Sequence, residues 1–162
     1  MLRLLEVCDE VIVVLAPSGA EPSLPPGVPV RCVRDAIEGE GPLAGLLAGL
    51  QATATGSAVV TGGDMPELAT PVVLEMLSVA RGDERVEAVA LQDRGRVAPL
   101  PAVVRAERGR HVAHALVHDG ERSLHRFLEA LRVAVIDEET WLRLDPERRT
   151  LRDIDVPGDL RR

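Results

Sequence analysis

Residues 59–68 read VVTGGDMPEL. A β-branched pair runs into two glycines, one aspartate and then Met-Pro. The stretch reads as the end of a buried strand, SAVVT (57–61), followed by a turn that presents a single carboxylate. In open α/β sheets, ligands bind beyond the carboxyl ends of the strands. Asp64 therefore stands at a ligand position if strands and helices alternate on either side of it.

They do alternate. Upstream, VIVVL (11–15) is a short β-branched run closed by Ala-Pro-Ser-Gly, and VRCV (30–33) is another, ending at Arg34-Asp35. Between them, residues 17–29 hold five prolines and form a loop. PLAGLLAGLQATA (42–54) is small and apolar with helical spacing, and Pro42 suits a first helical turn. Downstream, TPVVLEMLSVARG (70–82) predicts a helix with Thr70 as N-cap, Pro71 at its first position and Gly82 at its end. VEAVAL (86–91) reads as a strand. After the turn QDRGR, VAPLPAVV is extended, and its prolines predict an edge or a bend. Helical stretches follow at about 105–118 and 121–132, the second with Leu124, Phe127, Leu128 and Leu131 inward. VAVID (133–137) is a late strand, and LRDIDVPGDLRR is a loop entering a short helix. The fold class is α/β with a mostly parallel sheet, in one domain spanning residues 1–162.

Composition narrows the function. Hydrophobic residues make up 46% and charged residues 28%, which describes a globular chain. The core is aliphatic, because Phe127 and Trp141 are the only aromatics. Lysine is absent, so all 19 basic residues are arginine and no lysine serves catalysis. The net charge of −7 without a basic stripe argues against nucleic acid or an anionic membrane as partner. Cys8 and Cys32 fit no zinc or redox spacing and read as reduced thiols. No apolar run approaches the ~18 residues of a membrane span, and Glu6 interrupts any signal peptide. The expected location is the cytoplasm.

Three acidic sites fall on that ligand-binding side: Asp35 after one strand, Asp64 after another, and the Asp153/Asp155 pair in the late loop. Acids there often only cap the next helix. For Asp64 that role is weakened by Thr70-Pro71, while Gly62 and Gly63 leave the backbone open to a ligand. A lone carboxylate beside room for phosphate is how Mg²⁺ is usually held. Asp153 and Asp155 flank Ile154 and share one side of an extended segment, either as a solvated turn or around a cation. In EGEGPLAGL (38–46), Gly39 and Gly41 allow a tight turn into the helix, either a plain helix start or an anion site. His111, His114 and His118 are spaced for one helix face, and they read as surface histidines rather than zinc ligands.

Taken together, GPLAGLLAGL, strand-GGDMPEL, VAPLPAVVRA, GERSLHRFL and DIDVPGDL, in this order, resemble the nucleotidyltransferases similar to molybdenum cofactor guanylyltransferase. The resemblance covers about residues 10–160, and the Gly-Pro-Leu-Ala-Gly and Asp-Met-Pro runs are its specific parts. It implies a Rossmann-like α/β fold and transfer of GMP from GTP to molybdopterin cofactor, with release of pyrophosphate. It implies Mg²⁺ as cofactor, with Asp64 as the catalytic, metal- and nucleotide-binding aspartate. Asp155 matches a polar residue beside the metal, with Asp153 as its neighbour. Asp35 matches an acid at the nucleotide site, and Gly41, Pro42 and Leu43 match the turn near the guanine. Molybdoenzymes or other cofactor-biosynthesis proteins are the implied partners. A molybdopterin cytidylyltransferase, a related nucleotidyltransferase and a non-catalytic nucleotide- or partner-binding remnant are the alternatives.

Val156 and Gly158 depart from the family's ending. A larger departure lies at the start. The family opens with a strand and a Leu-Ala-Gly-Gly-x-Ser-x-Arg-Met-Gly loop, then a lysine, and residues 1–162 contain neither. The resemblance thus implies an N-terminally truncated member, with a start codon upstream of Met1 favoured over a degenerate relative. It places the lacking strand between VIVVL and SAVVT. The expectation is a fragile fold and a poor catalyst, with those two strands left open, paired to each other or completed by a second copy. Arg3 is the candidate substitute for the lysine.

Overall fold

β-Branched runs and proline-glycine punctuation set the elements of this computed structural model, which describes residues 3–24, 26–35 and 41–153. After a 3₁₀ turn at Leu4–Glu6 come β1 (Val11–Leu15), β2 (Val30–Arg34), α1 (Pro42–Ala52), β3 (Ser57–Val60) and α2 (Thr70–Gly82). Then follow β4 (Ala88–Asp93), β5 (Arg96–Arg105), α3 (Ala106–His118), α4 (Leu124–Glu129), β6 (Val133–Ile136) and α5 (Glu138–Leu144). A second 3₁₀ turn spans Arg149–Leu151.

The strands form two sheets. β1 and β2 pair in parallel, from Val11 opposite Val30 to Leu15 opposite Arg34. The other four are ordered β3-β5-β4-β6. Within this sheet β5 alone is reversed, antiparallel to β3 and to β4, while β4 and β6 are parallel. The prolines of VAPLPAVV do not put β5 at an edge, since it lies between β3 and β4. They are tolerated because they fall where the ladder is interrupted. Ala90 pairs with Ala102 but Gln92 pairs with Val97, so Pro99 and Pro101 sit opposite a bulge and break no regular rung. The expected bend is there, and the Leu100–Pro101 peptide is cis.

β4 shows why the sheet is covered on both faces. Ala88, Val89, Ala90 and Leu91 are all buried, and alternation sends them to opposite layers. Val89 and Leu91 pack with Val72, Val73, Met76 and Trp141, from α2 and α5. Ala88 and Ala90 pack with Leu43, Leu50, Val112 and Phe127, from α1, α3 and α4. Each layer thus receives one of the two aromatics. Gly109 of α3 belongs to the tighter layer, where a Cβ would come within 2.6 Å of Val104.

The start of α2 departs from the expectation of a threonine cap. Thr70 is the first residue of α2 and not its cap. Ala69 takes the cap position without a side-chain bond, and the Thr70 hydroxyl donates to Glu6 Oε2 at 2.6 Å. α5 has no counterpart in the apolar spacing of the sequence. It is started by Asp137, whose Oδ1 accepts the Thr140 N–H at 2.8 Å, and by Glu138 and Glu139 in its first turn. Trp141 then anchors it, donating Nε1–H to the Gln92 carbonyl at 2.7 Å. Arg148 lies over the indole at 5.2 Å.

Glu87 ties three elements at the start of β4. Its Oε2 accepts the Arg132 N–H at 2.9 Å, and its Oε1 accepts from the Arg132 and Arg108 guanidiniums at 2.9 and 3.1 Å. The Arg132 amide is the main reason its carboxyl sits below the usual glutamate range; burial opposes the shift and the two guanidinium charges reinforce it. A lowered native value means stability that is present above the ordinary glutamate value of about 4.3 and lost as pH falls through the native one. Glu87→Gln is therefore expected to lower Tm at neutral pH, at a cost of about 1–3 kcal/mol. In thermal unfolding the difference from wild type should shrink below about pH 4. A difference independent of pH would contradict the assignment.

Candidate functional site

β3 ends at Val60, and the chain turns at once, with Met65 N–H reaching the Gly62 carbonyl at 3.3 Å. Met65 and Leu68 are buried, so the turn is pinned from below while Asp64 stays exposed at its tip. The Asp64 carboxylate folds back over Gly62. A Cβ on Gly62 would overlap Asp64 Oδ1 and come within 3.3 Å of Met65 Cγ. The two glycines thus have different uses: Gly62 makes room for the carboxylate, and Gly63 has open space around its Cα.

The chain's late segment docks beside this turn. Thr150, fully buried, accepts the Ala69 N–H on its Oγ1 at 3.2 Å, and its own N–H goes to Asp145 Oδ2 at 2.7 Å. Arg152 pairs with Glu67 at 2.9 Å. Asp153 follows directly, so its segment is held against the loop that carries Asp64. Asp155 lies outside the described residues. None of these links between residues 67–69 and 150–152 had a signal in the sequence.

The other predicted acid, Asp35, stands at the end of β2 in the other sheet, where its N–H extends the ladder to Leu15 O at 2.9 Å. Its neighbour Arg34 holds the loop after β1, donating to the carbonyls of Ala16, Pro17 and Gly19 at 3.3, 3.1 and 2.8 Å. Gly41 precedes α1 with φ 80°, and a Cβ there would meet Arg122 Cβ at 3.1 Å. Glycine is required at this point on both counts. Arg122, from GERSL, therefore covers the turn that Gly41 and Pro42 make, a neighbour the sequence did not indicate. Leu43 is fully buried in the core.

Pro42, Gly62, Gly63 and Leu124 are among the walls of a cavity of about 990 Å³. Asp35 and Asp64 are not among its walls. Cys8 is a wall residue, but burial, and then the charge of Asp9, push its thiol up from the ordinary value, which disfavours a thiolate nucleophile. Among the described residues no three His, Cys, Asp or Glu side chains gather as a metal site. His111, His114 and His118 are exposed along α3. A cation at Asp64 would therefore complete its shell with ligand oxygens and water, as Mg²⁺ commonly does. No helix among the described residues is long and apolar enough to cross a membrane.

Comparison with known proteins agrees with this arrangement. A sequence profile of the MobA-like NTP transferase domain matches residues 1–135. A probable molybdenum cofactor guanylyltransferase of Chloroflexus aggregans is 35% identical over 161 residues, covering 96% of this chain and 72% of that protein. One of Mycolicibacterium paratuberculosis is 30% identical, covering 98% and 75%. Among solved structures, molybdopterin-guanine dinucleotide biosynthesis protein A from Archaeoglobus fulgidus is similar with a TM-score of 0.64 and 28% identity. The match covers 80% of this chain and 64% of that one, so the chain spans just under two thirds of that protein. The 2-C-methyl-D-erythritol 4-phosphate cytidylyltransferase of Thermus thermophilus shares the fold, with a TM-score of 0.70 at 21% identity. The chain belongs to the MobA-like NTP transferase family, a family of nucleotidyltransferases with the Rossmann-like α/β fold.

The fit of Asp64 over Gly62 leads to a specific expectation. Gly62→Ala should displace the carboxylate, the mobile partner in the clash, and leave the fold nearly intact, within about 1 kcal/mol. Mn²⁺ affinity in the presence of GTP, read by electron paramagnetic resonance, should fall at least tenfold while Tm barely moves. Unchanged affinity would show that the carboxylate position does not matter.

Proposed function

We propose that this chain, as a member of that family, transfers GMP from GTP to molybdopterin cofactor and releases pyrophosphate. The observation that carries the reading is the exposed Asp64 carboxylate, seated over Gly62 at the carboxyl end of β3. The names of the relatives support the choice of substrates.

In this reading a phosphate oxygen of molybdopterin attacks the α-phosphorus of GTP. A new P–O bond forms, the bond to the bridging oxygen of the β-phosphate breaks, and pyrophosphate leaves with the electron pair. Attacker and target are both anionic, so the barrier is largely electrostatic. Bound Mg²⁺ would offset that charge and favour an in-line approach. Asp64 supplies the negative charge that retains the cation, with Asp155 as its candidate helper and Asp153 beside it. Gly62 and Gly63 let phosphate oxygens approach the backbone. Asp35 is the candidate acid for the nucleotide. The turn of Gly41, Pro42 and Leu43 is the candidate contact for guanine, its shape fixed by the positive φ of Gly41 and the cover of Arg122. Arg3, a wall residue of the cavity, is the candidate cation for the outer phosphates.

Pyrophosphate release from GTP and from CTP, in the presence of molybdopterin cofactor, tests the reading. GTP should be used in preference, and Asp64→Ala, which weakens retention of the cation at the reacting phosphate, should lower turnover about 10²–10³-fold. Preference for CTP would move the chain to a cytidylyltransferase. Release from neither nucleotide would leave a non-catalytic binding role and overturn the reading.

A further inference from the structure

Residues 61–69 join β3 to α2 and carry Asp64. The loop ends at Ala69, which caps α2 without a side-chain bond of its own. The first N–H groups of a helix have no partner within it, so a group outside must accept. For Ala69 that group is Thr150 Oγ1, from a segment distant in sequence.

Thr150 is the fixed side of this bond. It is fully buried, and its own N–H is held by Asp145 Oδ2, on a carboxylate only 5% exposed. Hydrogen bonds to a charged acceptor are the stronger kind. Arg148 fastens the same segment to the body of the molecule. Its guanidinium bonds to Asp93, at the end of β4, and to Glu138, at the start of α5, while its N–H donates to the Asp145 carbonyl at 3.0 Å. Arg152 and Glu67 also link the two segments, but that pair is exposed, and exposed pairs contribute little. The buried Thr150 bond therefore sets where the end of the Asp64 loop lies relative to the late segment that leads to Asp153.

We propose that Thr150 is a positioning residue of the nucleotide–metal site, acting through the Ala69 amide on the placement of Asp64, a role that rests on reading Asp64 as the acid that retains the cation. Thr150 is buried and acts on the loop, not on substrate. Mg²⁺ accepts little departure from octahedral oxygen geometry. A misplacement of about 1 Å, caused far from the chemistry, can cost about 10²-fold.

Thr150→Val keeps the shape of the side chain and removes the acceptor, whereas Thr150→Ser keeps the acceptor. Glu87→Gln is the control for stability lost elsewhere, because its carboxylate bonds to Arg132 and Arg108. Mn²⁺ affinity in the presence of GTP, read by electron paramagnetic resonance on the whole chain, should fall about tenfold or more in Thr150→Val. It should stay near wild type in Thr150→Ser and in Glu87→Gln, although Tm falls in both the valine and the glutamine variants. Amide exchange without ligand is the second readout. The Met65 N–H, bonded to the Gly62 carbonyl, should exchange faster in Thr150→Val relative to Val89 and Val103, and not in Thr150→Ser. Wild-type affinity in folded Thr150→Val, or an equal loss in Thr150→Ser or Glu87→Gln, would overturn the proposal. If wild type binds no Mn²⁺ with GTP, the reading of Asp64 fails, and the Met65 amide decides the role of Thr150 by itself. Faster exchange in the valine variant alone then supports Thr150 as the residue that positions this loop, and unchanged exchange overturns it. If Thr150→Val does not fold, Thr150→Ala, which removes the same acceptor, takes its place with the same expectations.

Discussion

Among the described residues the two sheets share no ladder and are packed against each other by side chains, and the remaining architecture depends on how α1 manages this. Its glycine face lets it lie close on β1, where a Cβ at Gly49 would come within 3.2 Å of Val14 Cγ2. Its other face sends Leu43 and Leu50, both fully buried, into the layer that covers β3, β5 and β4. On the opposite side, Leu4 and Val11 join Leu68, Val72 and Leu77. Apolar contact is non-directional, so it can hold two sheets in place without closing the gap between their ladders.

The turn that carries Asp64 inherits its position from this arrangement. β3 is the edge of the four-stranded sheet at the cleft, and its last residue leads straight into Gly62 and Asp64. α1 begins at Pro42, which lines the same cleft as Gly62 and Gly63. The late segment is clamped there by Thr150 on Ala69 and Arg152 on Glu67. The candidate metal, nucleotide and base positions thus come from three separate parts of the chain, and only packing relates them. Nucleotide chemistry on such a site would be sensitive to changes in α1 that touch no ligand.

Much of the fold could be read from residue order. VIVVL, SAVVT and VAVID became strands because β-branched runs bounded by turns have few other stable uses, and Asp64 stood out because two glycines isolate it at a strand end. The interior place of β5 was not legible. Its prolines argue for an edge, and only the partner strand reveals that they face a bulge. Thr-Pro usually marks a cap, but Glu6, distant in sequence, takes the Thr70 hydroxyl. α5 leaves little trace in the sequence, because it is short and rests on one cap and one tryptophan rather than on an apolar stripe. Arg122 over Gly41 and Arg152 on Glu67 are contacts between distant residues, which no local pattern encodes. For strands without a neighbour, the residue order leaves several relations of the two sheets open.

Residue-resolved amide hydrogen exchange on the chain alone measures that relation directly. If the cleft is open, the amides of Ile12, Val14, Ser57 and Val59 should exchange far faster than those of Val89 and Val103, which lie inside the four-stranded ladder. Equal protection of both groups would mean that the edges of β1 and β3 are paired, and would contradict two sheets with no ladder between them among the described residues.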